Sequence, residues 1–574
     1  MSPEADDKQI DLQNGFNFIG HGSLGGKARG LRSAAGLLDG AGDVKARYPQ
    51  VVFRTPETFV IAADGFEAYV KDNGLGNLAH SKLSDSDIAS RFLQGRFPEE
   101  VAAALGRLLE EWRQPLAIRS SGILEDLQGH AYAGLYRTFM LSNDQPDAPQ
   151  RLERLVEAVK MVWASTFFEN PCAYAGRVGH RIEACTMAVI IQPVVGSRFG
   201  RYYYPAISGV AQSKNFYPLG RLRSEDGLAT IALGLGRQVV SGERALRFSP
   251  KYPRRPVQRG TVEEILDYAQ RGFYALEMGT QVSWRKAGRD HLVRRQVSDA
   301  LEEPPVKQLV STYVPSEHRV RDTLQAKGQR VLTFANVLKY DLFPLAPILR
   351  DMLALGEKSL GAAEIEFAVN LAGDGSGKHQ FYLLQMRSMA AHREGLTVSI
   401  TPEDQQRALC YSGNAMGNTR RQDITDIVFI KPQAFAPGRT RDMVRSVARI
   451  NASLVRERRQ YVLVGPGRWG SADPWLGIPV RWADISNVAA IVETTAENLK
   501  AEPSQGAHFF HNMASLGISY FCVSRRAPDV INWTWLTAQK RLQENEFVAH
   551  VRFSTPITIK VDGRTSSGVI LIEF

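Results

Sequence analysis

The chain has 574 residues, 44% hydrophobic and 23% charged, which is typical of a soluble protein with about three or four domains. Four cysteines without a CxxC pair exclude a disulfide scaffold or thiolate zinc site, and no apolar run approaches the ~20 residues that span a bilayer, so we expect a cytoplasmic protein. The net charge of +10 suits anionic ligands such as nucleotides, but no aromatic–basic module accompanies it, so nucleic-acid binding is not expected.

The first region, residues 1–185, mixes short strands and helices. Strands are predicted at Val51–Phe53 and Thr58–Ile61, on either side of a proline turn. Helices are predicted at Glu99–Trp112 and Pro149–Phe168, because apolar residues recur there every three or four positions. This alternation of elements predicts an α/β lobe.

The second region, residues 186–395, begins with the apolar, β-rich run Thr186–Val195 and continues through a glycine-punctuated stretch of strands and turns. Helical periodicity returns over Ser316–Gly356. Two strands, Ile365–Val369 and Gln380–Gln385, are predicted to pair around a short loop. We therefore expect a second α/β lobe.

The third region, residues 396–574, is predicted to be a smaller α/β domain. It contains one strong amphipathic helix, Arg439–Arg459, whose arginines we interpret as a solvated face. The loop Gly465–Asp473 matches GxGxxG after a strand, but Pro474 argues against the helix that a dinucleotide site requires. Arg468 and the backbone amides of this loop could instead hold an anion.

Two segments of the first region carry residues suited to phosphate. Lys27 follows paired glycines, which let a backbone approach a phosphate closely, but the segment is not a Walker A loop. Arg119 is predicted at the end of a strand, where it can form a fork onto phosphate oxygens, with Ser120 and Ser121 as further donors. Gly134 is predicted to let the following loop close over a nucleotide.

Two segments of the second region complete the pattern. An apolar strand that contains Gln192, Val194 and Val195, beside a glycine-rich turn at Gly236, predicts a flat slot for adenine. Paired strands would present Glu366 and Gln385 on one face as oxygen ligands for Mg²⁺, with Arg387 pointing the same way as Gln385. Each segment alone is equally compatible with an ordinary turn or core strand.

Together the segments resemble the nucleotide-binding half of the phosphoenolpyruvate synthase and pyruvate, phosphate dikinase family, a half that rifampicin phosphotransferases share. The matching elements are Gly25-Gly-Lys27, Ile118-Arg-Ser-Ser-Gly122 with Tyr132-Ala-Gly-Leu135, Ile191-Gln-Pro-Val-Val195, Gly234-Leu-Gly236, Glu364-Ile-Glu366 and Leu384-Gln-Met-Arg387. They occur in the family's order over residues 25–388. Chance agreement of separated motifs in one order is improbable.

The resemblance implies a two-lobed ATP-grasp fold with ATP and Mg²⁺ between the lobes. It assigns Lys27 and Arg119 to the phosphates, Gln192 and the Val194–Val195 backbone to adenine, and Arg387 to a position beside the phosphates. It also implies that Glu366 and Gln385 lie on the metal side. The family's reaction splits ATP to AMP and phosphate while an acceptor is phosphorylated.

The sequence departs from the family in three ways. Arg237 stands where the family usually has a carboxylate near the ribose. No histidine follows Thr-Ser, so we do not expect the family's mobile phosphohistidine domain in this sequence. The residues after 395 are too few for the family's barrel, since a TIM barrel needs about 250.

The C-terminal region supplies another candidate, the pair His508 and His511, which are spaced to share a helix face. They are either structural, beside Phe509 and Phe510, or one of them is a phosphate acceptor or general base. We place them, with Gly465–Asp473, on the acceptor side of the cleft as a hypothesis.

The function predicted from sequence is an ATP-dependent phosphotransferase that uses ATP and Mg²⁺, with an unknown anionic or small-molecule acceptor. Two alternatives stay open: a regulatory or scaffold protein that binds ATP without turnover, and ligase-type chemistry through an acyl phosphate. A homo-oligomer is also left open, and no membrane association is expected.

Overall fold

The structure is a computed structural model in which helices and strands alternate through the chain, so the predicted α/β class is confirmed. It describes residues 15–123, 125, 132–182, 185–216, 218, 222–255, 260–279, 291–372, 377–389, 398–496, 499, 507–525 and 527–572. Within those residues, no helix combines the length and the apolar character needed to cross a bilayer.

The first lobe is built on a five-stranded sheet. The strand order is Phe16–Ile19, Thr58–Ile61, Met187–Pro193, Leu116–Gly122 and Thr138–Leu141. Met187–Pro193 lies at the centre, antiparallel to both neighbours, and its burial explains its apolar sequence. The predicted division at residue 185 assigned this strand to the second lobe. Periodicity showed a buried strand but could not show which sheet buries it.

Helices cover this sheet, and the two helices predicted from periodicity are present. Glu99–Glu111 buries Val101, Leu105 and Leu108, while Ala148–Ala164 ends earlier than predicted and passes into the 3₁₀ turn Ser165–Phe167. The other helices of the lobe are Gly25–Asp39, Gly42–Arg47, Ala63–Asp72, Asp85–Gln94 and Glu169–Val178.

The second lobe is built on a six-stranded sheet. Its order is Leu246–Phe248, Leu228–Ala232, Ile207–Gln212, Ala363–Asn370, His379–Ser388 and Val51–Arg54. The predicted pair around the loop at 372–378 is therefore present, and it is antiparallel. The edge strand Val51–Arg54 comes from the first region and pairs in parallel with His379–Tyr382. Only residues 55–57 separate it from a strand of the other lobe.

Two smaller sheets and several helices complete the second lobe. One sheet contains Leu292–Gln296, Gly272–Glu277, Tyr202–Tyr204 and Ser197–Phe199, and the other contains Arg319–Arg321, Val310–Val314 and Gln329–Leu332. The helices are Arg237–Val240, Val262–Tyr268, Pro304–Leu309, Ala335–Leu338 and Leu345–Leu360. The prediction of helix over 316–356 is wrong for its first half, because pairing with Val310–Val314 overrides local periodicity there.

The C-terminal domain has a ten-stranded mixed sheet. Its strands are Ala408–Ser412, Ala415–Met416, Thr419–Ile430, Tyr461–Pro466, Val488–Thr494, Ser519–Val523, Val530–Ile531, Arg541–Glu544, Val548–Asp562 and Ser567–Leu571. The helices are Pro402–Gln406, Thr440–Arg456, His508–Ser515 and Trp533–Ala538, and Arg468–Trp469 pairs with Gly477–Ile478 in a small separate sheet. Thr440–Arg456 confirms the predicted amphipathic helix. No helix opens directly after Pro466, as expected from Pro474.

The C-terminal domain packs directly on the first lobe. The rings of Tyr174 and Trp482 lie edge to face at 5.5 Å, and the Ala483 amide donates to Asn170 Oδ1 at 2.9 Å. Arg177 donates to the Val488 carbonyl at 3.3 Å. One continuous apolar core runs through both parts, so residues of the C-terminal domain can reach the space between the lobes.

Candidate active site

A cavity of about 500 Å³ lies where the two lobes and the C-terminal domain meet. Eleven of the twelve residues predicted for the site line it, and these are Lys27, Arg119, Gly134, Gln192, Val194, Val195, Gly236, Glu366, Gln385, Arg387 and His508. His511 lies outside the wall. The fold thus brings together segments that are more than 400 residues apart in sequence, while the role of each residue stays a prediction.

Lys27 is held near the start of helix Gly25–Asp39. Its Nζ lies 2.7 Å from Glu125 Oε1 and also donates to Ser120 Oγ at 3.3 Å. Gly25 is required for packing, because it has a φ of +77° and a Cβ there would lie 1.9 Å from the Ser121 carbonyl oxygen. Ser121 does not face a ligand as predicted: its buried hydroxyl accepts from the Ala28 amide and donates to the Leu24 carbonyl.

Arg119 joins the two lobes across the cavity. It lies in the middle of strand Leu116–Gly122 and not at its end, because pairing with the neighbouring strand continues to Gly122. Its Nη1 donates to Gln192 Oε1 at 3.2 Å, and its Nη2 donates to Gln385 Oε1 at 3.3 Å. The same Nη2 lies 3.7 Å from Glu366 Oε2.

Glu366 and Gln385 face each other across their antiparallel strands, as predicted. Because Glu366 Oε2 and Gln385 Oε1 both lie within 3.7 Å of one Arg119 nitrogen, the two oxygens converge. Hard oxygen ligands of this kind fit Mg²⁺. No cluster of three or more histidine, cysteine or carboxylate side chains suited to a metal occurs in the described ranges.

Arg387 has a carboxylate partner that the sequence reasoning missed. Its Nε donates to Glu364 Oε1 at 2.7 Å, and Gln212 Nε2 also donates to Glu364. Glu364 and Glu366 are two residues apart on one strand, so they share a face. That spacing was a usable signal for the pair. Glu125, the partner of Lys27, was likewise given no role.

An apolar slot forms one end of the cavity. Ala117, Val194, Leu235 and Leu276 are buried in one cluster, against which Met140, Tyr203, Tyr274 and Leu292 pack. Gln192 contributes less than predicted, because its side chain is engaged with Arg119 and with Thr58 Oγ1 at 2.9 Å. The Val194 N–H donates to the Pro115 carbonyl at 2.7 Å, and the Val194 carbonyl accepts from the Tyr203 hydroxyl at 3.2 Å, so the Val194 backbone predicted to bind adenine is already engaged. The apolar side chains of the slot still suit a nucleotide base.

His508 is contributed by the C-terminal domain. It begins helix His508–Ser515, and its Nδ1 would lie 2.3 Å from a Cβ at Gly134. Gly134, with a φ of +64°, is therefore needed to admit the histidine. The ring is partly exposed to the cavity but surrounded by protein. This desolvation lowers the pKa of His508 to about 4, with Glu366 opposing the shift and Arg387 and Lys27 adding to it.

Helix His508–Ser515 is hydrogen-bonded to the first lobe through the side chain of Asn512. The buried amide of Asn512 accepts from the Ala133 N–H at 2.9 Å and donates to the Ala133 carbonyl at 2.8 Å. Arg481 of the same domain lies elsewhere on the wall, 3.1 Å from Glu169 Oε2. Neither residue was predicted from sequence, because no local pattern marks a contact across hundreds of residues.

The loop Gly465–Asp473 lies behind the cavity wall, contrary to the hypothesis that it faces the cleft. Arg468 is buried and donates to the Gly242 carbonyl at 3.2 Å, and Ser471 Oγ donates to the same oxygen at 3.1 Å. The loop thereby supports Ser241 and Gly242, of which Ser241 lines the cavity.

A family model described as the pyruvate phosphate dikinase AMP/ATP-binding domain matches residues 21–408. This match covers more than half of the chain and includes both lobes. The chain belongs to this family. The resemblance read from the separated motifs is confirmed, and the cavity between the two lobes of this AMP/ATP-binding domain is the one described above.

Individual relatives match shorter segments of the chain. An uncharacterized phosphotransferase of Bacillus subtilis, YvkC, is 27% identical over 187 residues, 33% of this chain and 20% of the relative. The phosphoenolpyruvate synthase of Aeropyrum pernix is 25% identical over 196 residues, 30% of this chain and 21% of the relative. A rifampicin phosphotransferase of a Streptomyces species is 30% identical over 251 residues, which are 41% of this chain and 25% of the relative. The matched segments span a quarter or less of these relatives.

Proposed function

We propose that the protein is an ATP-dependent phosphotransferase that binds ATP and Mg²⁺ between its lobes, in the manner of an ATP-grasp module. The observation that carries this proposal is the convergence of Lys27, Arg119 and Arg387 with Glu366 and Gln385 around one cavity. An apolar slot lies at one end of that cavity. A base in the slot would direct its phosphates toward the three cations.

A bound phosphate would replace the carboxylate partner of each cation. In the structure each pairs with a carboxylate: Lys27 with Glu125, Arg119 with Glu366 and Arg387 with Glu364. A phosphate group offers the same oxygen geometry to an arginine fork and carries more charge. The nitrogen–oxygen distance is longest in the Arg119–Glu366 pair. We therefore expect Arg119 to exchange its carboxylate partner for a phosphate most readily.

Glu366 and Gln385 would hold the metal against the phosphates, which frees Arg119 from its carboxylate partner. A Mg²⁺ ion held by these two residues would supply positive charge beside the transferring phosphoryl group. Arg119 and Arg387 position that group and spread its charge, and positioning provides most of the catalysis in such reactions.

His508 is the group of the C-terminal domain that we place on the acceptor side. Its lowered pKa leaves the imidazole neutral at pH 7, with a lone pair available to accept a proton or a phosphoryl group. Its charge environment includes Glu366, Arg387 and Lys27. We therefore assign it the role of general base or transient phosphate carrier for a small or anionic acceptor.

A regulatory protein that binds ATP without turnover is the second candidate. The observation in its favour is that all three cations already have carboxylate partners, which would let the nucleotide act as a displaceable ligand that changes domain contacts. A complete metal pair at Glu366 and Gln385 favours catalysis, since binding alone does not require it.

The test is incubation of the full chain with ATP, Mg²⁺ and a pool of metabolites, with AMP and ADP quantified separately. We expect the parent to release one of them and Glu366→Gln to abolish the release. His508→Ala should reduce it strongly, whereas His511→Ala, on the same helix but outside the wall, should not. ATP binding with no AMP or ADP formed would reject the phosphotransferase and support the regulatory protein. Equal rates in both histidine variants and the parent would reject the role of His508.

A further inference from the structure

Arg237 brings a positive charge to the cavity wall that no carboxylate within the described residues neutralises by an ion pair. Its guanidinium lies over the ring of Tyr274, 5.3 Å from the centroid. Glu243 is near enough to sense the charge, but both of its oxygens are engaged. Oε1 accepts from the Tyr274 hydroxyl at 2.6 Å and Oε2 lies 3.1 Å from Arg294.

The position of Arg237 along the cavity is fixed by its short helix. Leu235, two residues before it, belongs to the apolar slot. Val239, two residues after it, packs with Val210, and Val210 lies opposite Glu366 in the sheet. Arg237 therefore lies between the base end and the metal end. With a base in the slot and phosphates at the metal side, that intermediate position is the sugar.

The chemistry at a sugar position depends on the sign of the side chain. A carboxylate accepts hydrogen bonds from the ribose hydroxyls, whereas an arginine accommodates a phosphate esterified to the ribose. An arginine fork also matches the oxygens of a phosphate and has no acceptor for a hydroxyl proton. The ring of Tyr274 holds the guanidinium in place, which reduces the entropy lost on binding.

We propose that the cavity accepts an adenine nucleotide that carries an additional phosphate on its ribose, at the 2′ or 3′ position, and that Arg237 binds this phosphate. The inference rests on the proposed function to the extent that a nucleotide occupies the cavity. It identifies the ligand more closely than ATP alone, as a ribose-phosphorylated nucleotide.

The experiment is calorimetric titration of the full chain, at constant Mg²⁺, with AMP, adenosine 2′,5′-bisphosphate and adenosine 3′,5′-bisphosphate. One bisphosphate should bind about ten-fold or more tighter than AMP, as expected for a charged hydrogen bond. The arm with the tighter ligand identifies the 2′ or the 3′ position. In Arg237→Gln the difference between that bisphosphate and AMP should shrink to less than two-fold. The matched control is Arg198→Gln, an exposed arginine of the same lobe outside the wall, in which the difference should persist.

Bisphosphates that bind no better than AMP in the parent would overturn the inference. So would a preference that survives Arg237→Gln or that disappears equally in Arg198→Gln. ATP is titrated in parallel, so that failure of this inference can be distinguished from failure of the proposed function. Binding of ATP without a preference for either bisphosphate rejects only this inference. Failure of every adenine nucleotide to bind rejects the proposed function with it.

Discussion

The C-terminal domain and the cavity both concentrate charged side chains, but they use them differently. In the domain, Asp426 is fully enclosed by four donors. Its Oδ1 accepts from His550 Nε2 and Arg552 Nε, both at 2.7 Å, and its Oδ2 accepts from Arg459 Nε and Thr425 Oγ1, both at 2.9 Å. Burial alone would raise the pKa of Asp426, but these hydrogen bonds outweigh it and hold the pKa well below its ordinary value.

In the cavity, by contrast, Glu366 faces a single cation, Arg119, at a longer distance. Arg119 and Glu366 are each 16% exposed, and the distance between them is 3.7 Å. A ligand can replace such a contact, whereas nothing can enter the Asp426 cluster without breaking it. The comparison teaches that the density of charge does not identify a site. A carboxylate with one long ion pair beside a cavity, such as Glu366, is the better indicator of a site.

The largest effect is expected for Asp426→Asn, which tests the structural side of the comparison. The variant leaves Arg459 and Arg552 without their buried partner and places an amide among donors. The free energy of unfolding in urea should fall by about 3 kcal/mol, near the lower end for a broken buried pair because both arginines are partly exposed. ATP affinity of the folded variant should not change.

Asp423→Asn is the matched control, since Asp423 is largely exposed and pairs with Arg421 at the surface. Its effect on stability should be within about 0.5 kcal/mol. Equal stabilities for the Asp426 and Asp423 variants would show that enclosure adds nothing to the cluster.

The next effect concerns ligand binding. Lys27→Ala and Arg119→Ala should each weaken ATP by about 1.5–3 kcal/mol, the range for charged hydrogen bonds, while stability changes less than in Asp426→Asn. Calorimetry measures the affinity. Arg32→Ala, exposed on the same helix as Lys27, serves as control. If both cavity variants bind ATP as tightly as the parent, the assignment of these cations to phosphate is wrong.

A smaller effect is expected at the junction between the two regions. Asn512→Ala removes both hydrogen bonds to Ala133 and leaves a buried amide and carbonyl unpaired. Stability should fall by about 1–3 kcal/mol. Hydrogen exchange at the Ala133 amide should accelerate, and His511→Ala should leave that rate unchanged. If exchange at Ala133 stays slow in Asn512→Ala, the amide is protected by something other than this contact.

The smallest effect is a pH dependence at His508. Its folded pKa of about 4 lies below the ordinary value of 6.5, so between these values the unfolded chain binds a proton that the folded chain does not. Stability is therefore lost as pH falls through that window. Relative to the parent, His508→Gln should lose about 1–2 kcal/mol less between pH 7 and pH 4, because the ring is partly exposed to the cavity. The control is His511→Gln, measured by the same urea titrations at each pH. If the free energy of unfolding changes equally with pH in the parent and in His508→Gln, the lowered pKa of His508 is contradicted.

Local pattern predicted much of the fold, and eleven of the twelve residues predicted for the site line the cavity. The antiparallel pair that presents Glu366 and Gln385 was readable because strand alternation determines which side chains share a face. The helices at 99–111 and 440–456 were readable because their apolar faces are regular. These features depend on neighbours within a few residues.

The features that were missed depend on distant partners. Nothing near Met187–Pro193 shows that it pairs with Leu116–Gly122, and the short strands at 319–332 exist because Val310–Val314 binds them. Spacing alone could not separate His508 from His511, since His508, the first residue of their helix, is the residue of that helix that lines the cavity. The role of Glu364 was open to prediction from its spacing to Glu366.

The crossing of the chain between the two sheets limits the mechanics of the cleft. Val51–Arg54 belongs to the sheet of the second lobe and Thr58–Ile61 to that of the first, with Pro56 of the connecting residues on the cavity wall. Four Cα steps from Arg54 to Thr58 extend at most about 14 Å. This short connection therefore keeps the two sheets within about 14 Å of each other at residues 55–57, so the lobes cannot slide apart at this edge.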